Sequence, residues 1–228
     1  MAVQFDAGFN YALGGSRIGL AQRRASARSS RWTAGNADIH PLSTKKGGEM
    51  SLNTALAISL GVLGAIAAWL FLGPLGGALQ IWAAFIAWGC FFHCGGKEQG
   101  LQTTIISNAV GAIVGGITLY VATHAGLDAT LGLPLWAGIC VGLGVAAMVL
   151  LANIPLFAAI PAQVYGFAAV VALTLLGNGA DNLVAPALGN PVVNIILSMI
   201  IGAAFGYVSE KVAGMLVGMG HNRAAAKA

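Results

Sequence analysis

The sequence predicts an all-α polytopic membrane protein, with six transmembrane helices forming two inverted three-helix repeats. Three observations predict it. Of the 228 residues, 57% are hydrophobic and only 8% charged, whereas a water-soluble domain charges roughly a quarter of its residues. Beyond Met50 the charged residues reduce to Lys97, Glu98, Asp128, Asp181, Glu210, Lys211, Arg223 and Lys227, too few to cover a globule. The apolar residues also fall into blocks close to the roughly 20 needed to cross a bilayer core. The 33 glycines fit the same solvent, because small residues let membrane helices approach closely.

The first 49 residues stand apart. Arg17, Arg23, Arg24, Arg28 and Arg31 alternate with small residues and serines. The apolar core of about 7–15 residues that a secretory signal needs is missing. Residues 1–49 therefore read as a basic, disordered tail, with a weak likeness to an organelle transit peptide. They read equally as sequence upstream of the true start. Lys45-Lys46-Gly47-Gly48-Glu49-Met50 can be encoded by a purine run containing AGGAGG before an ATG, as at a bacterial ribosome-binding site. Residues 50–215 are then the six-span membrane domain, and 216–228 a short polar C-terminal tail.

Six spans follow in order: Asn53–Leu72, Leu79–Cys94, Thr103–Thr123, Leu135–Ile154, Leu156–Leu176 and Pro191–Val208. The second is short, held between Gly73-Pro74-Leu75-Gly76-Gly77 and Gly95-Gly96-Lys97-Glu98. The fourth and fifth nearly touch at Asn153-Ile154-Pro155, where proline opposes helical continuation. An even number of spans puts both termini on one side. Placing them in the cytoplasm of a bacterial inner membrane puts every Lys and Arg inside, and Asp128 and Asp181 outside, as the positive-inside rule asks.

The halves echo each other. Leu60–Ala68 in the first span resembles Val141–Ala147 in the fourth, and Trp88-Gly89 in the second is matched by Tyr165-Gly166 in the fifth. Asn108 precedes Gly116 by eight residues, as Asn194 precedes Gly202. Three spans per repeat force opposite orientations, the arrangement of many transporters and channels.

Polar groups inside the spans are uncharged, apart from His93 near one end. Proton- or ion-coupled transport relies on buried ionisable groups, so a passive route for a neutral solute fits better. The candidate substrate-binding residues are Ser107, Asn108, Gln163, Tyr165, Asn194 and Ser198. Carboxamides and hydroxyls both donate and accept, as a solute losing its water shell requires. The structural alternative for each is an ordinary interhelical hydrogen bond. Pro155 and Pro161, ahead of Gln163, mark a broken segment of the kind tolerated at depth only beside protein or water.

Cys90, His93 and Cys94 share one helical face. Three such ligands could hold copper or zinc, and completing a tetrahedral set needs a fourth group that the sequence does not supply, so no metal site and no cofactor is assigned. The odd count of cysteines, all in apolar stretches, argues against a disulfide framework. Gly111/Gly115, Gly138/Gly142, Gly202/Gly206 and Gly214/Gly218 keep the GxxxG spacing, which suits a tight bundle and a homo-oligomer. No nucleophile elbow, phosphate loop, zinc-protease helix or paired acidic motif is present, so an enzyme is not expected. Residues 51–228 are close to neutral and offer no nucleic-acid surface.

The run Trp82-Ala83-Ala84-Phe85-Ile86-Ala87-Trp88-Gly89-Cys90-Phe91-Phe92, then Gly95-Gly96, Asn108 and Gly111, resembles the domain-of-unknown-function family 1097, small bacterial inner-membrane proteins. The resemblance covers about residues 51–215. It implies membrane location and fold, and no functional residue is carried over from it. The expectation is an integral inner-membrane channel or facilitator for a small neutral polar solute. The alternative is a non-transporting scaffold, assembly factor or subunit of a larger complex.

Overall fold

The computed structural model describes residues 50–225, so the expectations for residues 1–49 lie outside the described residues. Ser51 opens the first helix by accepting the Thr54 N–H at 3.2 Å, a side-chain cap for an otherwise orphaned donor. The apolar run then carries α1 (Leu52–Leu72) to Gly73-Pro74. Irregular backbone leads to α2 (Ile81–His93). Gly95 and Gly96, at φ of 91° and 67°, reverse the chain into α3 (Lys97–His124). One turn, α4 (Asp128–Leu131), precedes α5 (Leu133–Leu151).

After a 3-10 turn at Pro155–Phe157, α6 (Ile160–Leu173) starts with Pro161 in its first turn and widens to π spacing over Thr174–Asn178. Two further 3-10 turns, Ala180–Val184 and Ala187–Gly189, lead into α7 (Pro191–Ala225). This last helix runs without a break into the stretch expected as a polar tail. No strand occurs among the described residues.

Among the described residues, five helices are long and apolar enough to cross a membrane: Leu52–Leu72, Lys97–His124, Leu133–Leu151, Ile160–Gly177 and Pro191–Met219. The expected second span is the exception. α2 has 13 residues, about 20 Å of helix against a hydrocarbon core of about 30 Å. Its length is set by the glycine-rich break on one side and the Gly95-Gly96 reversal on the other.

Helix directions follow from which residues meet. Gly111 and Gly115 of α3 lie against Gln163 and Phe167 of α6, so these two helices run parallel. Gly202 and Gly206 of α7 lie against Ala84 and Phe91 of α2, so that pair is parallel too. Trp136 Nε1 donates to the Ala122 carbonyl at 3.1 Å while Gly144 meets Thr118, which sets α5 antiparallel to α3. α1 lies against α7, where Ser59 Oγ donates to the Ser209 carbonyl at 2.8 Å. The four central helices are thus α2, α3, α6 and α7, with α1 and α5 outside them.

The surface is greasier than the centre. Trp69, Leu143 and Leu150 are 69%, 67% and 68% exposed. Thr104, Ser107, Asn108, Gln163 and Ser198 are at most 1% exposed. Water would reverse this distribution. A lipid-facing exterior around a partly polar interior explains it, and the apolar helical chain reads as a multi-pass membrane protein.

Candidate functional site

Along α2, Gln80 caps the start and Cys90 lies ten residues further on, about 15 Å of helix. The candidate residues divide between these two levels. At the first, Ser198 Oγ accepts from the Gln80 N–H at 2.9 Å and donates to the Asn194 carbonyl at 2.8 Å. Asn194 Nδ2 donates to the Ala78 carbonyl at 2.7 Å and the Leu188 carbonyl at 3.2 Å. Gly77, Ala78, Gln80, Leu173, Leu188, Gly189, Pro191 and Asn194 enclose a cavity of about 300 Å³ at this end of the bundle. Its polar groups are largely satisfied by one another.

At the second level they are not. The Cys90 thiol donates to Asn108 Oδ1 at 3.8 Å, a weak contact, and leaves Asn108 Nδ2 without a partner. Ser107 Oγ also has none, and Thr104, one turn from Asn108, has only the Cys90 thiol beside it. Gln163 Nε2 donates to the Phe157 carbonyl, while Gln163 Oε1 is unpartnered. The backbone brings these groups together: the Gly166 position abuts the Asn108 carbonyl, and Gly111 abuts Gln163. A Cβ at either glycine would occupy the neighbouring backbone, so only glycine permits this approach of α3 and α6.

Between the two levels lie Ala83 and Ala87 of α2, packed with Ala112, Ile195 and Met199. Small and flexible apolar side chains therefore separate the two polar clusters. Tyr165 takes part in neither cluster. Half-buried, it faces the His93 ring edge-on at 6.3 Å and lines an outward-opening groove of about 510 Å³ with Trp82, Phe85, Ile86, Gly89 and Cys90.

Asn108 and Asn194, expected as a matched pair, sit at different levels with different partners. Ser107, Gly111 and Gly115 of α3 keep the same four-residue spacing as Ser198, Gly202 and Gly206 of α7, and in each helix both glycines lie against a neighbouring helix. Thr104 and Cys90 belong to the second cluster and were missed as site residues; Thr104 lies four residues before Asn108, on the same helical face.

The charged end of the bundle is tied separately. Lys97 takes a positive φ of 58°, and its N–H donates to Glu210 Oε2 at 2.7 Å. Glu98 accepts from Lys211 Nζ at 2.9 Å and from the Tyr207 hydroxyl at 2.8 Å. Both contacts join the start of α3 to α7.

A family model described as "Protein of unknown function (DUF1097)" matches residues 57–214. No curated protein and no solved structure matches the chain.

Proposed function

The chain belongs to the DUF1097 family, and from that premise and its architecture we propose that it is a passive facilitator for a small, neutral, polar solute. The observation carrying this reading is the set of buried atoms at the α2–α3–α6 junction that lack a nitrogen or oxygen partner: Thr104 Oγ1, Ser107 Oγ, Asn108 Nδ2 and Gln163 Oε1. Each costs about 1–3 kcal/mol when left unmade, and the set offers hydroxyls, a donor and an acceptor. A compact amide, urea-like molecule or short alcohol satisfies all three kinds. No Asp, Glu, Lys or Arg belongs to the set, which fits an uncoupled route.

The pairing of helices supports two inverted three-helix repeats, one from α1 to α3 and the other from α5 to α7. α3 runs along α6 as α7 runs along α2, while α1 lies on α7 as α5 lies on α3. The short α2 then counts as the sixth, incomplete span. Lys97, Glu98, Glu210 and Lys211 share one end of the bundle, which we place in the cytoplasm together with both termini. On this reading, the apolar layer of Ala83, Ala87, Ile195 and Met199 is what closes the route.

Stopped-flow light scattering on proteoliposomes tests the reading. Recovery of volume after a shock with urea, acetamide or glycerol should outpace empty liposomes for at least one solute, with ion leakage unchanged. Recovery matching empty liposomes for the whole panel removes it.

A second reading, a membrane scaffold, draws on Gly138 and Gly142 of α5, whose Cβ positions meet nothing within 4 Å. This open GxxxG face suits another helix. A stoichiometric companion retained in mild detergent, and lost on Gly142→Leu, would favour it over the facilitator.

A further inference from the structure

The end of α2 carries two free thiols, Cys90 and Cys94, one helical turn apart with their sulfurs 3.9 Å from each other. We propose that this pair is a two-coordinate site for a soft, closed-shell monovalent cation, copper(I) or silver(I). The pair borders the polar cluster of the solute reading and shares Thr104 and Asn108 with it, but its test reads copper binding and not solute flux.

Four features point to it. Thiolates select soft metals. With the roughly 2.3 Å of a zinc–thiolate bond as the scale, a linear sulfur–metal–sulfur unit spans about 4.6 Å, so sulfurs 3.9 Å apart need to part by only a fraction of an ångström. Among the described residues no group of three or more His, Cys, Asp or Glu is placed to hold a metal, which leaves a tetrahedral zinc set unfilled. His93 instead turns its ring toward Tyr165. Two ligands suffice for copper(I) or silver(I).

Charge is also accommodated. Binding displaces one proton from each thiol to solvent, and the resulting bis-thiolate complex carries a single negative charge. Thr104 and Asn108 both lie beside Cys90. A half-turn of the Asn108 amide brings its unpartnered Nδ2 to the sulfur in place of Oδ1. The site has an approach, because Cys94 is half-exposed where α2 ends, whereas Cys90 is 2% exposed.

The test uses the purified full chain in mild detergent, titrated with copper(I) against a colorimetric copper(I) chelator. One copper per chain is expected, with a two-sulfur shell by X-ray absorption. Cys90→Ser and Cys94→Ser should each weaken binding by more than about 100-fold, beyond the 10–100-fold typical of outer-shell partners. Cys140→Ser and His93→Gln should leave it unchanged. If the serine variants elute as aggregates, the wild type still decides: copper(I) should protect Cys90 and Cys94, but not Cys140, from maleimide under partial unfolding, read by mass spectrometry. Absence of chelator-resistant copper, a nitrogen in the shell, or equal protection of all three thiols overturns the proposal.

Discussion

Asn194 Nδ2 donates to the Ala78 carbonyl at 2.7 Å and also reaches Leu188, so one carboxamide ties the broken approach to α2 to the broken approach to α7. Gln163 does the equivalent for α6 through the Phe157 carbonyl. Ala78 stands two residues before the cap Gln80, and Phe157 two before the cap Ala159. Hydrocarbon offers such carbonyls no alternative partner. These two carboxamides therefore have a structural duty as well as a place among polar groups.

Asn194→Leu leaves the Ala78 and Leu188 carbonyls without that donor. It should destabilise the protein by about 1–3 kcal/mol. Hydrogen–deuterium exchange should rise in residues 75–80 and 186–190 while α5 stays unchanged. Unchanged exchange there would contradict the role assigned to Asn194.

Ser107→Ala and Asn108→Leu separate structure from transport. Ser107 Oγ and Asn108 Nδ2 have no partner to lose, so Ser107→Ala should shift stability by less than about 0.5 kcal/mol or raise it. If the cluster receives solute, both variants should slow the proteoliposome flux at least severalfold. Slowed unfolding with wild-type flux would leave Ser107 as packing alone.

Gly111→Ala and Gly202→Ala should both be severe. Their Cβ atoms would collide with the backbone of Gln163 and of Ala84. Overpacking costs about 1–3 kcal/mol or more, and backbone has no rotamer to yield. Gly138→Ala and Gly142→Ala, by contrast, meet nothing within 4 Å and should leave the melting temperature of the monodisperse protein in place.

Glu210→Ala removes the acceptor for the Lys97 N–H at the start of α3. The loss should be about 1 kcal/mol, as for other helix caps. Glu98→Gln breaks an exposed ion pair with Lys211, a class worth about 0–1 kcal/mol. Thermal unfolding in detergent should thus rank Glu210→Ala below Glu98→Gln. The reverse order would place the tie between α3 and α7 in the ion pair.

Five of the six expected spans were readable because hydrocarbon demands a simple composition, and the shortness of α2, which falls short of a span, was visible in its flanking glycines. The packing partners of each helix were not. Asn108 and Asn194 drew attention as matching polar letters, yet what aligns helices is where the chain is small enough for another backbone to lie against it. Gly111/Gly115 and Gly138/Gly142 look identical as spacing, but the first pair touches α6 and the second touches nothing. Only tertiary packing separates them.

The candidate site was partly legible for a related reason. Ser107, Asn108 and Gln163 were named, and α3 packs on α6 where Asn108 and Gln163 lie. Asn194 and Ser198 were grouped with them, although their partners are the Ala78 carbonyl and the Gln80 N–H. Backbone donors and acceptors leave no letter in the sequence. Thr104 escaped notice because a threonine in an apolar helix usually bonds back to its own turn.

The shortness of α2 has a consequence for the lipid beside it. A 13-residue wall about 20 Å high sits next to α7, whose membrane-length portion runs from Pro191 to Met219. A bilayer meets a short apolar wall by thinning locally, so the expected result on that flank is a dimple in the leaflet near Gln80. A membrane of longer lipids should resist that dimple, making chain length in the host bilayer a mechanical control on this protein.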